Sequence, residues 1–216
     1  NPKVGLFHSI GHHQAIYASY AIANKEPNRN DYVESTPSSR PTPETLFNTE
    51  IGYKINLERY YLAVNFYHMK YKDQLVLTGQ INDVGSYMRE NIENSYRRGI
   101  EIEGIYKISD KLNINGNITI SENKIDEFTE YVDNWDTWSQ EKITYQNTEL
   151  AFSPKLLWAS QFSYKLNTQT TISLISKFVG DQFIDNTSSR ERIIEEYLVN
   201  NLQVSYNWKN NIFKTS

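Results

Sequence analysis

The sequence of 216 residues contains no cysteine, which excludes a disulfide-bonded scaffold and a thiolate metal site. It also lacks any run approaching the ~20 consecutive apolar residues that a membrane-spanning helix requires. Only 38% of the residues are hydrophobic. With a net charge of −4 and no cluster of lysine and arginine, nothing resembles a nucleic-acid-binding surface. These absences do not exclude a membrane, because a spanning strand needs only about 9–11 residues with one apolar face.

The dominant positive feature is alternation of apolar and polar residues. In the segment 112–121, Leu112, Ile114, Ile118 and Ile120 share one face of a strand, and asparagine, threonine and serine occupy the other. Ten residues is a membrane-spanning length for a strand. The sequence also contains 16 tyrosines, as expected of barrels that place aromatic girdles at both bilayer interfaces.

The same alternation predicts further strands, over 47–55, 100–108, 156–166 and 198–208. A weaker pattern covers 60–71. There the apolar residues change parity after Phe66, which predicts a β-bulge.

The connections between these strands alternate strictly in length. Short turns are predicted at 11–12, 58–59, 109–111, 167–169 and 209–210, and long polar stretches at 24–43, 73–95, 122–152 and 181–194. Outer-membrane barrels have short periplasmic turns and long extracellular loops. The pattern therefore predicts an all-β, antiparallel, up-and-down transmembrane β-barrel, of which this chain supplies about nine strands and the beginning of a tenth. A single helical turn is predicted within the loop at 188–196.

Several short motifs resemble the β-barrel of TonB-dependent outer-membrane receptors, most closely those of Bacteroidetes-type bacteria. Tyr17-Ala-Ser-Tyr20 and Lys25-Glu-Pro27 precede Pro43-Glu44 and the strand Asn48-Thr-Glu-Ile-Gly52. Further along the chain come Tyr71-Lys-Asp-Gln-Leu75, Arg98-Gly-Ile-Glu-Ile-Glu103, Phe152-Ser-Pro154 and Val179-Gly-Asp181, in the order the family has them.

The resemblance implies that residues 1–216 are part of a single barrel domain of about 22 strands, running from strand twelve to the start of strand twenty-one. The plug domain, the segment that binds the TonB energy-transducing complex and the closing strand are expected outside this chain. The implied function is energy-dependent uptake of a scarce nutrient, with a ferric siderophore or another iron chelate as the first expectation. The expected partners are outer-membrane lipid, the plug, the TonB complex and a small ligand, with no nucleic acid and no cofactor.

Two other functions remain open on the sequence alone. One is a passive porin or barrel adhesin. The other is a soluble all-β binding module, which fails if the apolar stripe forms one continuous belt bounded by tyrosine and tryptophan. An enzyme is not expected, because the sequence shows no catalytic triad, metal cluster or nucleotide loop.

Two groups of candidate site residues follow. Alternation predicts a polar wall facing the lumen and plug, made of Asn48, Glu50, Glu101, Glu103, Asn113, Asn115, Asn117, Gln203 and Ser205. Aromatic and charged residues of the long loops are the candidates for substrate binding, since aromatics in long loops often mark recognition surfaces and otherwise pack on their own loop; these are Arg29, Asp31, Tyr32, Tyr131, Trp135, Trp138 and Tyr145.

Two other clusters invite a chemical role. His8, His12 and His13 have a spacing that suggests a metal site, but they flank a tight turn without a nearby carboxylate, so structural histidines are expected. Glu101 and Glu103 project to one side of a strand and could form an acid–base pair. Because Lys107 shares that face and no nucleophile is near, a salt-bridged wall is expected instead of catalysis.

Overall fold

The computed structural model describes residues 1–37, 39–82, 84–208 and 211–215, the last stretch for its backbone only. Nearly all of the chain is strand, with one short helix. The elements are β1 Lys3–Ile10, β2 Gln14–Lys25, α1 Arg29–Glu34, β3 Glu44–Asn56, β4 Tyr60–Ile81, β5 Tyr87–Lys107, β6 Leu112–Asn134, β7 Ser139–Glu149, β8 Leu156–Lys165, β9 Thr170–Val179, β10 Gln182–Phe183, β11 Ile193–Ile194, β12 Tyr197–Trp208 and β13 Asn211–Thr215. The turn predicted at Lys209 and Asn210 lies outside the described residues. Among those described, no helix is long and apolar enough to cross a membrane.

One antiparallel sheet contains eleven of the described strands. Its order is β1-β2-β3-β4-β5-β6-β8-β9-β12-β13, so consecutive full-length strands pair with one another, as predicted. β7 pairs with the distal half of β6, and β8 pairs with the proximal half. The short turns all fall at one end of the sheet, which we call the short-turn end. The all-β, antiparallel, up-and-down order of strands expected from the alternation is therefore confirmed.

Register places the alternating apolar residues on one face of the sheet. Val64, Ile102, Ile118, Trp158 and Phe178 are successive cross-strand partners and form one row across five strands. Further apolar residues of the paired strands lie on the same face, as expected from the alternation: Ile100, Ile114, Leu174, Leu202 and Val204. Most of these side chains are half-buried, and Leu174 and Leu202 are exposed, at 42% and 61%. A face of this kind requires an apolar environment on its outer side.

Aromatic residues bound this apolar belt. At the short-turn end, Tyr60 pairs with Tyr106, and Tyr164 and Tyr206 occupy equivalent positions on β8 and β12. Tyr20 and Tyr96 lie on the same face towards the other end, where Tyr96 is four residues beyond Ile100 on β5 and Tyr20 is followed by Ile22 on β2. A continuous belt with tyrosine at both edges is the arrangement expected at two bilayer interfaces, and it argues against the soluble-module alternative.

The prediction of a β-bulge after Phe66 is wrong. The β3–β4 ladder is regular from Thr45 to Asn56, and the β4–β5 ladder shifts only between Leu77 and Ile81. The parity changes because His68, Lys70 and Lys72 follow Phe66 on the same face. The outward face of β4 becomes polar there because the strand has left the apolar belt.

Two of the predicted long loops are also largely strand. β4 and β5 remain paired up to Ile81 and Tyr87, so most of 73–95 is a continuation of the sheet. Most of 122–152 is the hairpin of β6 and β7, closed by the turn 135–138. Only 26–43 and 180–196 join full-length strands without a long ladder of their own.

The prediction of a helical turn at 188–196 is wrong as well. Ser188 has φ 61°, and Ile193 and Ile194 pair with β10. The helix instead forms at Arg29–Glu34. Asn28 accepts hydrogen bonds from the first-turn amides and Asp31 bonds back to the Asn28 amide, which is a capping box.

Candidate ligand-capture site

Beyond the belt, the end opposite the short turns is one packed unit, which we call the outer cluster (residues 24–43, 73–95, 122–152 and 181–194). The first segment is tied to β5, where Asn91 and the backbone of Thr42 exchange hydrogen bonds of 2.8 and 3.0 Å. The tip of β4 is tied to β7, because the Gln140 side chain donates to the Gly79 carbonyl and accepts from the Ile81 amide. The long segments therefore hold one another in place.

The last segment is bound to the chain that follows β7. The amide of Ala151 donates to the Asn186 side chain, and the amide of Phe152 donates to the carbonyl of Phe183, both at 2.8 Å. A small apolar core supports the cluster, formed by Val76, Ile92, Ile125, Phe128 and Leu150. Burial of these side chains supplies the stabilisation that fixes the segments.

A cavity of about 610 Å³ opens between the segments of this cluster. Its apolar wall includes Leu75, Leu77, Tyr87, Phe152 and Ile184. Its charged lining comprises three arginines and two carboxylates: Arg89, Arg97, Arg192, Glu130 and Asp185. An apolar pocket with a few convergent polar groups is the usual form of a small-ligand site.

The charges in the cavity differ in how far they are neutralised. Arg192 contacts Asp185 at 2.8 Å and Glu130 at 2.5 Å, so its charge is fully compensated. Arg89 has Asp31 at 3.9 Å. Arg97 donates a 2.8 Å hydrogen bond to the neutral Ser153 hydroxyl, and no carboxylate of the described residues forms an ion pair with it. Arg97 therefore supplies an uncompensated positive charge in the lining.

An ion-pair network, which we call the latch, joins the 181–194 segment to β6 through Arg192, Glu130 and Asp185. The Tyr145 hydroxyl donates to the other Glu130 oxygen at 3.0 Å. Burial would raise the pKa of Asp185, but hydrogen bonds from Thr187 and Arg192 outweigh it and hold that pKa below its usual value. The hydrogen bonds from the Arg192 guanidinium to Glu130 and, second in size of effect, to Asp185 raise the pKa of that guanidinium. Asp185 and Arg192 are thus both ionised at neutral pH.

The candidate aromatics of the β6–β7 hairpin separate into two groups. Tyr131 and Tyr145 are bound within the cluster, with Tyr131 donating to Glu90 at 3.1 Å. Trp135 and Trp138, at the tip, are 71% and 84% exposed and contact each other edge to face, with ring centroids 5.9 Å apart. The tip indoles therefore remain accessible to a ligand, and their binding role stays a prediction.

The earlier candidates in the first segment have mainly structural contacts. Asp31 caps α1 and is buried, and the Arg40 guanidinium lies 5.8 Å from the centre of the Tyr32 ring. Arg29 begins the helix and is exposed. Sequence reasoning missed Arg89, Arg97 and Arg192, because they are far apart in sequence and carry no motif.

The predicted polar wall lies on one face, opposite the apolar belt. Cross-strand pairing connects its members through β3, β5, β6 and β12, which are Asn48, Glu50, Glu101, Glu103, Asn113, Asn115, Asn117, Gln203 and Ser205. A hollow of about 780 Å³ on this face is lined by Glu101, Glu103, Asn117 and Lys177, among others. Contact with a plug remains a prediction.

Two details of that wall differ from expectation. Among the described residues neither Glu101 nor Glu103 forms an ion pair, so the salt-bridged wall is wrong in this respect. Lys107 lies four to six residues further along β5, roughly 13–20 Å away, which is too far. Glu101 instead accepts a 3.4 Å hydrogen bond from Asn65.

The histidine cluster flanks the β1–β2 turn. His12 and His13 contact edge to face at 6.5 Å, and His13 is close to the Asn56 carbonyl, at 3.2 Å. Within the described part of the chain, no three histidine, aspartate or glutamate side chains are grouped to hold a metal ion.

Comparison with known proteins is consistent with this geometry. The family described as TonB-dependent receptor-like β-barrel matches residues 1–215. Among solved structures, the siderophore receptor PiuA from Acinetobacter baumannii superposes with a TM-score of 0.75 at 17% identity, over 97% of this chain and 30% of that one. The ferric-catecholate import receptor Fiu from E. coli gives 0.70 at 17% identity, over 98% and 29%.

The copper transporter OprC is as similar in fold, with a TM-score of 0.74 at 14% identity over 97% of this chain and 32% of that one. The chain therefore spans about a third of the length of these solved relatives. No curated protein is similar enough in sequence to count as a relative. The family and these structures are receptors and transporters, not enzymes.

Proposed function

This chain belongs to the TonB-dependent receptor β-barrel family, and from that premise we propose that it is part of an outer-membrane receptor for energy-dependent uptake of a scarce nutrient. The proposal places residues 1–216 within a single barrel domain, whose other strands and plug domain belong to the same receptor. The short-turn end faces the periplasm and the outer cluster faces the exterior. The apolar belt between them contacts lipid.

The cavity in the outer cluster is the observation that carries the uptake role. It combines an apolar wall with the uncompensated charge of Arg97 at the end of the barrel where a ligand arrives first. A passive pore does not require a pocket that is lined by apolar residues and contains an arginine whose charge no carboxylate neutralises. Trp135 and Trp138 extend beyond the cavity and provide the first contact surface.

We further propose a ferric siderophore or another iron chelate as the nutrient. Two of the solved relatives are described as siderophore or ferric-catecholate receptors, and a third carries copper, so a metal complex is the common element. Arginine suits such ligands because its planar donors bind oxygen anions with two hydrogen bonds.

The polar face is suited to the next step, in which the nutrient passes from the cavity along the barrel wall. Its amide and carboxylate groups offer hydrogen-bond partners to a plug, and the hollow around Glu101 and Lys177 gives room for a packed loop. Movement of the plug requires the TonB complex, which acts through the plug-bearing part of the receptor. This chain then serves as the wall along which the nutrient passes.

The test uses the intact receptor in cells starved of iron. Binding of radiolabelled ferric siderophores to the cells is measured, together with their uptake with and without a protonophore. The receptors compared are the native one, Arg97→Gln and a control, Lys165→Gln. Loss of a charged hydrogen bond costs about 1.5–3 kcal/mol, so we expect Arg97→Gln to weaken binding of the transported chelate by roughly 10- to 100-fold.

Lys165 lies on the polar face at the short-turn end, so its variant should bind the chelate as the native receptor does. Uptake that continues unchanged with the protonophore would contradict the energy-dependent receptor and support a passive pore. Normal binding by Arg97→Gln at normal surface abundance would show that the cavity is not the capture site.

A further inference from the structure

The apolar wall of the cavity in the outer cluster contains one residue with a strained backbone. Phe152 lines the cavity and has φ 52°, in the left-handed region that favours glycine and asparagine. A bulky side chain in this region is energetically unfavourable, and such conformations persist only where the surrounding structure enforces them. The backbone conformation therefore does not explain why this position carries a phenylalanine.

Hydrogen bonds on both sides of Phe152 hold this backbone in place. The amide of Phe152 donates to the Phe183 carbonyl, and the amide of Ala151 donates to the Asn186 side chain, both at 2.8 Å. The Ser153 hydroxyl donates to the Ala151 carbonyl at 3.0 Å. None of these three bonds involves the Phe152 ring, so a glycine at this position would preserve all of them and relieve the strain.

The ring of Phe152 also contributes little burial to the fold. The residue remains 64% exposed, and the apolar core that supports the outer cluster is formed by other side chains. Apolar surface that stays in contact with water gives no stabilisation until something covers it. An exposed ring on a strained but firmly held backbone therefore indicates a role in the cavity and not in folding.

The uncompensated arginine of the cavity reaches the residue that follows this ring. Arg97 lines the same cavity, and its guanidinium donates to the Ser153 hydroxyl at 2.8 Å. The Cα atoms of Phe152 and Ser153 are about 3.8 Å apart, as in any trans peptide. The lining therefore offers an exposed aromatic ring and a planar set of charged donors at neighbouring positions.

This combination of ring and guanidinium suits one kind of oxygen anion. In an aromatic chelating group the charged oxygens lie at the edge of a flat ring. The face of that ring can stack on Phe152 while the oxygens at its edge accept hydrogen bonds from Arg97. An aliphatic hydroxy acid presents the same oxygens and the same charge, but it has no flat face to stack.

We propose that Phe152 is the specificity-determining residue of the cavity, and that it selects anionic chelates whose oxygens are carried by aromatic rings. Arg97 binds the oxygens of aromatic and aliphatic chelates alike, whereas Phe152 adds affinity only for the aromatic ones. The inference rests on the proposed function, because it takes the cavity to be the capture site of an iron chelate.

The test measures binding of two radiolabelled iron(III) complexes to the intact receptor. Their synthetic chelators share one backbone and carry either three catechol arms or three aliphatic α-hydroxycarboxylate arms, so the two complexes have the same charge. Phe152→Leu keeps an apolar side chain without the ring, and Phe152→Tyr keeps the ring. Phe162→Leu is the matched control, because Phe162 lies on the apolar belt as the cross-strand partner of Ile114 and Leu174.

We expect the native receptor to bind the catechol complex more tightly than the hydroxycarboxylate complex. Loss of an aromatic stacking contact should weaken binding of the catechol complex by Phe152→Leu about 3- to 10-fold, and leave its affinity for the hydroxycarboxylate complex unchanged. Phe152→Tyr and Phe162→Leu should bind both complexes as the native receptor does.

Equal losses for the two complexes in Phe152→Leu would overturn the inference, because the ring would then only support the shape of the cavity. Native affinity of that variant for the catechol complex would overturn it too. A native receptor that binds the two complexes equally would refute the selection by Phe152 and leave the iron-chelate nutrient in place. A native receptor that binds neither complex would overturn both.

Discussion

Replacing Ile118 with arginine tests the orientation of the sheet in the membrane. Ile118 pairs with Ile102 and Trp158 on the apolar face. The rows from Leu112 to Ile120 span eight residues, about 27 Å along the strand and about 20 Å along the membrane normal. Gly116 marks the middle, so Ile118 lies about 5 Å from the midplane.

An arginine on the lipid face costs about 2–4 kcal/mol at the midplane and 0–1 kcal/mol near the interface. Ile118 lies about halfway between the midplane and the interface, so we expect Ile118→Arg to lower the free energy of unfolding by about 2 kcal/mol. The measurement is denaturant unfolding of the intact receptor in lipid vesicles. Ile118→Met serves as a control for lost packing, because it keeps a long apolar side chain without the charge.

A second control is Asn117→Arg, one residue away on the polar face. We expect it to change the stability by less than about 1 kcal/mol, as is usual for surface substitutions. Equal costs for arginine at 117 and 118 would refute the assignment of the two faces. An unchanged folding equilibrium for Ile118→Arg would refute the lipid-facing belt itself.

Three further predictions concern the outer cluster and the ladder. Replacing Trp135 and Trp138 with alanine should lower ligand affinity about thirtyfold at normal surface abundance; unchanged affinity would leave ring packing as their only role. Gly99→Ala should destabilise the receptor by about 1–3 kcal/mol, because its Cβ would lie 2.5 Å from a β6 carbonyl oxygen. Gly104→Ala is the control, since its Cβ would make only ordinary contacts of 3.7 Å or more. Equal free energies of unfolding for the two variants would contradict this prediction. Because the folded-state pKa of Asp185 is depressed, its stabilising contribution is complete above the usual value near 3.9 and is lost as the pH falls below it. The protection factors for amide hydrogen exchange in its segment, which compare each rate with the intrinsic rate at the same pH, should therefore be constant from about pH 7 to 5. A fall in protection within that range would contradict the sign.

The membrane part of the fold was predictable from the sequence because the bilayer imposes alternation locally. The residues 112–121 alternate strictly since one face contacts an apolar phase and the other a polar one. Outside the bilayer that constraint disappears. β4 and β5 continue as paired strands up to Ile81 and Tyr87, but the apolar residues no longer alternate there, since Leu75, Val76 and Leu77 are consecutive among polar residues. Their pairing comes from the neighbouring strand, not from a local pattern.

The candidate site was only partly predictable for a related reason. The tip tryptophans could be identified because they are conspicuous in a polar segment. The arginines of the cavity could not, since Arg97 on β5 and Arg192 in the segment before β11 reach the cavity from positions that are distant in sequence. One local signal was available and missed: Asn28 and Asp31, three residues apart after Pro27, form the capping box of α1.

The unequal ends of the sheet have a consequence for membrane assembly. At one end the strands stop at turns of a few residues, while at the other β4, β5 and β6 continue past the belt and carry many charged side chains. Each charge drawn back to the midplane would cost about 2–4 kcal/mol, so reversal would require tens of kcal/mol. Once the long end has crossed, the receptor cannot invert, and its orientation is set by the direction of insertion alone.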